Sequence, residues 1–106
     1  MATQTKTRQA DPVVVDSKHY TVEMEDERVR VLRISYGPGE KSVMHGHPNS
    51  VAVCLADAHV RFTMPDGTTE EMHAKAGEVL PTPAGEHLPE NIGPRPFEIV
   101  LVELKS

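Results

Sequence analysis

The His-Gly-His segment at residues 45–47 is the part of this chain best suited to metal chemistry. His45 and His47 are two residues apart, so on a β-strand their side chains leave the same face, with Cα atoms about 6.5 to 7 Å apart. Imidazole nitrogens bind divalent metals at about 2.1 Å, so such a pair can hold one ion from one side. The spacing fits two surface histidines in a turn equally well. The pair therefore predicts half of a metal site, to be completed by other ligands.

The elements that must position this pair are short β-strands. No stretch with helical spacing is longer than two turns, whereas β-rich runs alternate with Gly, Pro, Asp and Asn. We predict turns at 37–39, 64–67 and 84–85, where Pro presets φ and Gly supplies positive φ. Nine strands at such spacing predict an all-β sandwich or jelly-roll β-barrel. The predicted strands are 13–15, 19–24, 29–36, 41–44, 51–56, 59–64, 69–73, 78–80 and 97–104.

Length and composition predict one domain that binds neither nucleic acid nor membrane. The 106 residues include 16 acidic and 11 basic side chains, a net charge of -5 that repels nucleic acid and anionic lipid. Apolar runs are far shorter than the roughly 20 residues that span a bilayer, and no signal-peptide core begins the chain, so we expect a cytoplasmic protein. The single cysteine, Cys54, excludes an internal disulfide. Residues 1–10 are predicted to be a disordered tail, and residues 11–106 the folded domain.

Two motifs in the chain resemble those of the cupin superfamily. The first is Gly39, five residues, then His45-Gly-His47; the second begins at Gly77 and continues through Pro83-Ala-Gly85-Glu-His87 to Asn91. The resemblance covers residues 29–104 and implies a single-domain, cupin-type jelly-roll β-barrel with the motifs on neighbouring strands. It also implies that His45, His47 and His87 hold one metal ion inside the barrel.

The sequence departs from the cupin pattern at two positions. The family's glutamate ligand is missing, and Val51 stands in its place; one residue instead of two separates Gly85 from His87. Three neutral imidazoles leave a divalent ion its full charge, which favours an anionic bidentate ligand in the open positions. The site looks like the all-histidine iron sites of acetylacetone-cleaving and thiol-oxidising cupins, which are dioxygenases. The alternative is that Val51 marks a decayed site.

The resemblance also carries expectations about the metal and the assembly. It favours Fe(II), one divalent transition metal per chain, although imidazole ligands suit Zn, Ni, Mn or Cu as well. Cupin domains of this size resemble proteins that form homodimers through their sheets. The alternating apolar run within 98–104 predicts either such a face or part of the core.

Several residues near the predicted site have alternative interpretations. Glu90 and Arg33 are candidates for a role beside bound substrate, and since Arg30 and Arg33 differ in parity, at most one of them faces the interior. Asn91 is expected to brace a turn. His19, His59 and His73 are expected in solvent, and Cys54 on the face opposite the cavity. The predicted cavity lining comprises Val43, Met44, Val51, Val53, Phe62, Leu80 and Leu88.

Three functions from different classes follow from this sequence. The first is a metal-dependent oxygenase of a small anionic or chelating molecule, which predicts iron loading and oxygen uptake. The second is a redox-inert isomerase, lyase or hydrolase in which the metal polarises a carbonyl, which predicts activity without oxygen. The third is a non-catalytic binder of a small ligand or of metal, which predicts binding without turnover.

Overall fold

The computed structural model describes residues 10–105, which form two antiparallel β-sheets packed face to face. The large sheet has the strand order β1-β2-β9-β4-β7 and the small sheet β3-β8-β5-β6. The predicted all-β jelly-roll class is confirmed. The elements are α1 Pro12–Val15, β1 Tyr20–Glu25, β2 Val29–Tyr36, β3 His45–His47, β4 Ser50–Cys54, β5 Ala58–Thr63, β6 Thr69–Ala74, β7 Val79–Thr82, β8 Gly85–Asn91 and β9 Phe97–Leu104.

The predicted disordered tail falls mostly outside the described residues. Of residues 1–10, only Ala10 is described, and its carbonyl accepts a hydrogen bond from the Gly46 backbone N–H at 2.9 Å. Within residues 10–105, no helix is long and apolar enough to cross a membrane.

Alternation along the central strands β2 and β9 builds the core between the sheets. Every second residue of β2 from Leu32 to Tyr36 is buried, and each faces a buried partner in β9. Since side chains of a strand point alternately to its two faces, these pairs fill one face of the large sheet. The pairs are Leu32 with Leu101, Ile34 with Ile99, and Tyr36 with Phe97.

The opposite face of the large sheet carries an apolar row that crosses all five strands. Its members are joined by direct cross-strand pairing, and they are half-buried or exposed. We call it the outer apolar row: Met24, Val31, Val102, Val51 and Pro81. Val51 therefore points away from the space between the sheets.

Two predicted strands are absent from the described structure, and two observed strands are missing from the predicted set. Residues 12–15 form a short helix because the Asp11 carboxylate caps it, accepting from the Val13 N–H at 3.1 Å, and Pro12 starts its first turn. Residues 41–44 make only one isolated bridge, between Lys41 and Glu90. The two missing strands are β3, which begins one residue after the predicted strand 41–44, and β8, whose first residue, Gly85, had been assigned to a turn.

Asn91 ends β8 and braces the loop that follows it. Its side chain is fully buried; it donates to the carbonyls of Tyr36 and Arg95 at 3.3 and 2.9 Å and accepts from the Gly93 N–H at 2.9 Å. These three hydrogen bonds hold the loop in place, as expected from the sequence.

Replacing Asn91 with alanine is expected to lower the free energy of unfolding by about 2 to 3 kcal/mol, because it leaves buried backbone groups without partners. Urea unfolding followed by circular dichroism measures the loss. Asn49 is a matched control, since it is exposed and accepts one bond, from the Ala84 N–H. Asn49→Ala should cost less than about 1 kcal/mol. Equal losses in the two variants would contradict the bracing role of Asn91.

Candidate metal site

Pairing between β3 and β8 brings the three predicted histidines together. His45 lies directly opposite His87 in the register of the two strands, and His47 shares the face of His45. One ring nitrogen from each histidine lies within 4.8 Å of the others. The Nε2 atoms of His45 and His47 are 3.1 Å apart, close to the spacing of adjacent ligands on one ion with bonds of about 2.1 Å.

Hydrogen bonds at Nδ1 turn two of these imidazoles so that Nε2 faces the cluster centre. His45 Nδ1 lies 2.9 Å from the Val43 carbonyl oxygen, and His47 Nδ1 lies 2.7 Å from Glu103 Oε2. Acceptors at Nδ1 select the tautomer whose Nε2 lone pair is free, the usual arrangement of metal-binding histidines. These two imidazoles therefore fit a metal.

His87 carries the clearest mark of a site built for a ligand. Its Nε2 is buried and has no hydrogen-bond partner among the described residues. Its ring stacks on Phe62, with ring centroids 4.9 Å apart and an angle of 18° between the planes. A buried polar atom without a partner costs free energy, and a metal ion between the histidines would satisfy it.

Burial keeps two of the imidazoles neutral at physiological pH. It is the main cause that lowers the pKa of His45 to about 4 and that of His87 to about 3, and the nearby His47 adds to both shifts. Neutral imidazole is the form that binds metal, so no proton must leave these two ligands first.

A buried chain of charges lies behind His47. Glu103 is 3% exposed and accepts from His47 Nδ1 through one oxygen and from Arg30 Nε, at 2.9 Å, through the other. Arg30 in turn donates two bonds of 3.0 Å to Asp11. Burial alone would raise the pKa of Glu103, but the hydrogen bonds from His47 and Arg30 keep it below its usual value. The carboxylate is thus held ionised behind a candidate ligand.

A second chain of polar groups lies behind His45 and includes His19. Ser42 Oγ lies 3.2 Å from His45 Nδ1 and donates to Asp16 at 2.5 Å. His19 bridges Asp16, at 2.8 Å, and Glu40, at 3.0 Å. The expectation that His19 is in solvent is wrong, since it is 5% exposed and stacks on Tyr36. The nearby pair of carboxylates accounts for its burial.

A cavity of about 600 Å³ opens between the sheets beside the histidines. His47 and His87 form part of its wall, and apolar side chains including Ile34, Val60 and Phe62 form most of the rest. Among the described residues that line it, the charged ones outside the histidines are Glu70, Glu71 and Glu86, and none is Lys or Arg. The side chain of Glu71, however, leaves the outer face of β6, where it meets His59. The cavity therefore suits an apolar molecule without a free anionic group.

Solved structures of known proteins share this architecture. A cupin domain from Bordetella pertussis is 27% identical, with a TM-score of 0.75 over 82% of this chain and 92% of that one. This chain has the cupin fold. An RmlC-like cupin from Methanocaldococcus jannaschii is 22% identical, with a TM-score of 0.63 over 84% and 83% of the two chains. The polyketide cyclase RemF from Streptomyces resistomycificus is 16% identical, with a TM-score of 0.62 over 100% and 80%.

The cupin fold that the two motifs implied is confirmed by these structures. No protein-family model matches the chain, and no curated protein does. The motif glycines Gly39 and Gly77 both adopt positive φ, 78° and 89°, a conformation that favours glycine. The positive φ in these two turns thus explains why each motif begins with a glycine.

The cupin glutamate ligand has no replacement on β4. Val51 belongs to the outer apolar row, and its neighbour Ala52 lines the cavity instead. Cys54 also lines the cavity, so the predicted parity of β4 was inverted. Of the predicted lining residues, Phe62 and Leu80 lie on the cavity, Val51 and Val53 face outward, Val43 is 47% exposed, and Met44 and Leu88 are not among the described residues that line it.

The structure does not bring Arg33 or Glu90 to the histidines. Arg33 pairs with Glu23 and Glu98 on the outer face of the large sheet. Glu90 lies 3.6 Å from Arg61, its cross-strand neighbour on β5.

Arg30, not Arg33, is the arginine of β2 that faces inward, and it pairs there with Glu103. The sequence signal for Glu103 was a single acidic residue at a core-facing position of β9, where charged residues are rare unless paired.

Proposed function

We propose that this protein is a metal-dependent oxygenase that uses Fe(II) to act on a small chelating molecule. The observation that carries the proposal is the convergence of His45, His47 and His87, two of them neutral through burial, beside an apolar cavity whose wall includes His47 and His87. Iron held there would supply adjacent positions for substrate and dioxygen. The protein's own groups would orient the imidazoles and exclude water from the apolar part of the substrate.

The cavity lining narrows the expected substrate from the anionic or chelating class to a largely apolar chelator that carries no charge outside its metal-binding atoms. An anionic group outside the chelating atoms would meet no Lys or Arg among the described lining residues and would face Glu70, which pairs with the inward-facing Phe62. Burying an unpaired charge beside like charges is costly. Any negative charge of the substrate is therefore expected on the metal-binding atoms alone.

Nitric oxide, a stable stand-in for dioxygen, tests the oxygenase proposal without knowledge of the substrate. Protein loaded anaerobically with one equivalent of Fe(II) should give the electron paramagnetic resonance signal of nitric oxide bound to high-spin iron. His87→Ala, prepared in the same way, should give none. Addition of salicylate, a chelator whose charge lies on its metal-binding atoms, should perturb the signal more than addition of 5-sulfosalicylate, which carries a further anionic group outside them. Tightly bound iron that fails to take up nitric oxide would overturn the proposal and leave a redox-inert enzyme or a metal binder.

We also propose that the protein forms a homodimer through the outer apolar row. Met24, Val31, Val102, Val51 and Pro81 run side by side across the sheet, and Val100, Val53 and Val79 form a parallel row beside them. A continuous apolar face of this kind is typical of a protein interface. A second copy of the same face would bury it in a two-fold symmetric contact.

Val51→Asp is expected to convert the dimer to a monomer, because it places a charge within the apolar row. Sedimentation velocity measures the change. Thr69→Asp, on the exposed edge strand of the small sheet, is the matched control and should remain dimeric. A wild-type protein that sediments as a monomer at high protein concentration would refute the proposed interface.

A further inference from the structure

A second histidine cluster lies on the outer face of the small sheet. His59 and His73 are direct cross-strand partners on β5 and β6, and Glu71 lies two residues before His73 on the same face of β6. One donor atom from each of the three lies within 4.8 Å of the others. We infer that these side chains form a separate, solvent-accessible site for a divalent transition metal.

In this cluster a hydrogen bond joins two of the proposed ligands, His59 and Glu71, at the place where a metal ion would lie. The rings of His59 and His73 stack with centroids 3.8 Å apart and 23° between their planes. His59 Nε2 lies 3.0 Å from Glu71 Oε1, and this hydrogen bond is the main cause that lowers the pKa of Glu71. The carboxylate is therefore ionised at neutral pH. A metal ion would take the place of the proton between the two atoms, while rotation of the His73 ring would bring its nitrogen to the same ion.

All three proposed ligands lie on paired strands, so no loop is needed to position them. Both strands are paired over six residue pairs, from Ala58 with Ala74 to Thr63 with Thr69. Gly93 packs beneath His59, and a Cβ there would lie 3.3 Å from the His59 Cβ. The ligands are thus fixed by the register of one hairpin, and binding needs only side-chain rotation, which keeps the entropy cost low.

The donor set indicates the class of metal. Two imidazoles and one carboxylate suit Zn²⁺, Ni²⁺ or Cu²⁺ better than Mg²⁺ or Ca²⁺. The side chains of His59 and Glu71 are 30% and 51% exposed, so water or a group from another molecule can complete the coordination. The site is independent of the candidate site between the sheets, because the side chains of His59 and Val60 leave opposite faces of β5.

Binding at this cluster would stabilise the edge of the small sheet. β6 is the outermost strand of that sheet, with β5 as its one neighbour among the described strands. A metal that links β5 to β6 binds the folded hairpin alone and therefore shifts the folding equilibrium toward it. Edge strands are the part of a sheet most exposed to opening and to pairing with other chains.

Zn²⁺ titration of the full chain, followed by the imidazole resonances of individual histidines, tests this inference. The titration starts from protein whose inner cluster is already saturated with one equivalent of Zn²⁺. Further Zn²⁺ should shift the His59 and His73 resonances together. His73→Ala should weaken this second binding event by at least about tenfold, and Glu71→Gln should weaken it less. Thr69→Ala, on the same strand outside the cluster, should leave it unchanged.

Two outcomes would overturn the inference. One is that the His59 and His73 resonances do not move, even at millimolar Zn²⁺. The other is that they move equally in wild type and in Glu71→Gln, with His59 shifting as much in His73→Ala, which would indicate independent surface histidines. If the inner cluster takes up no metal, the same titration read at His59 and His73 still decides the outer site. Failure of the oxygenase proposal and failure of this one are therefore distinguishable.

Discussion

The His87→Leu protein is expected to lose tight metal binding and, without metal, to be more stable than the wild type. His87 Nε2 is buried and has no partner among the described residues, and its ring lies against Phe62. Leucine removes the unsatisfied atom and retains an apolar contact, so the free energy of unfolding should rise by about 1 kcal/mol. Elemental analysis after dialysis against a weak chelator measures bound metal, and urea unfolding of the metal-free proteins measures stability.

If His87→Leu gains stability and loses metal, His87 is a metal ligand and not a residue kept for packing. A histidine kept for packing would destabilise the protein when replaced and would leave any bound metal in place. His73→Ala is the matched control for metal content, because its exposed cluster should release metal to the chelator while the inner histidines retain it. Full metal retention in His87→Leu would show that the three inner histidines are not the binding site.

The motif spacing predicted the histidine cluster because turns and strand pairing fix it locally. Gly39 and Gly77 lie in turns that require positive φ, and β3 pairs with β8 so that His45 faces His87. Such features depend on residues close to the ligands in sequence or in register. The sequence could therefore indicate which side chains converge, although β8 itself was missed because a turn was predicted at residues 84–85, where the strand begins.

The parity of β4 was wrong for a reason that a sequence pattern does not contain. β3 belongs to the small sheet and β4 to the large one, so the chain changes sheets at residues 48–49. The inward direction of Val51 had been taken from its place in the cupin motif, and the link from His47 to that place crosses the change of sheet. Val51 in fact faces outward, where it belongs to the outer apolar row. Its place in that row accounts for an apolar residue at this position.

Glu103 was missed because its role depends on contacts far apart in sequence. It joins His47 to Arg30, and Arg30 in turn donates hydrogen bonds to Asp11, at the start of the folded domain. The carboxylate lies against Nδ1 of His47, on the side of the ring away from the Nε2 that faces the histidine cluster. A carboxylate on the far side of an imidazole makes it a stronger donor. We therefore regard Glu103 as a positioning residue for His47.

Glu103→Gln is expected to weaken metal binding by about 10- to 100-fold, the usual effect of losing a carboxylate behind a ligating histidine. It should also lower the free energy of unfolding by about 2 kcal/mol, because Arg30 loses one of its two carboxylate partners. Competition titrations with a coloured chelator measure the affinity. Glu98→Gln is the matched control: Glu98 lies on the same strand but faces outward, where it pairs with Arg33, and its loss should change neither quantity by much.

A spectroscopic readout distinguishes positioning from simple stabilisation. In the metal-free wild type, the ¹⁵N shifts of His47 should report a proton on Nδ1, which the Glu103 carboxylate holds there. In Glu103→Gln the charged acceptor is gone, so the Nε2-protonated form should become populated, and a proton on Nε2 competes directly with the metal. If the affinity falls while the His47 tautomer stays unchanged, Glu103 acts through overall stability and not through the orientation of its neighbour. If both change together, the buried carboxylate sets the chemistry of the ligand.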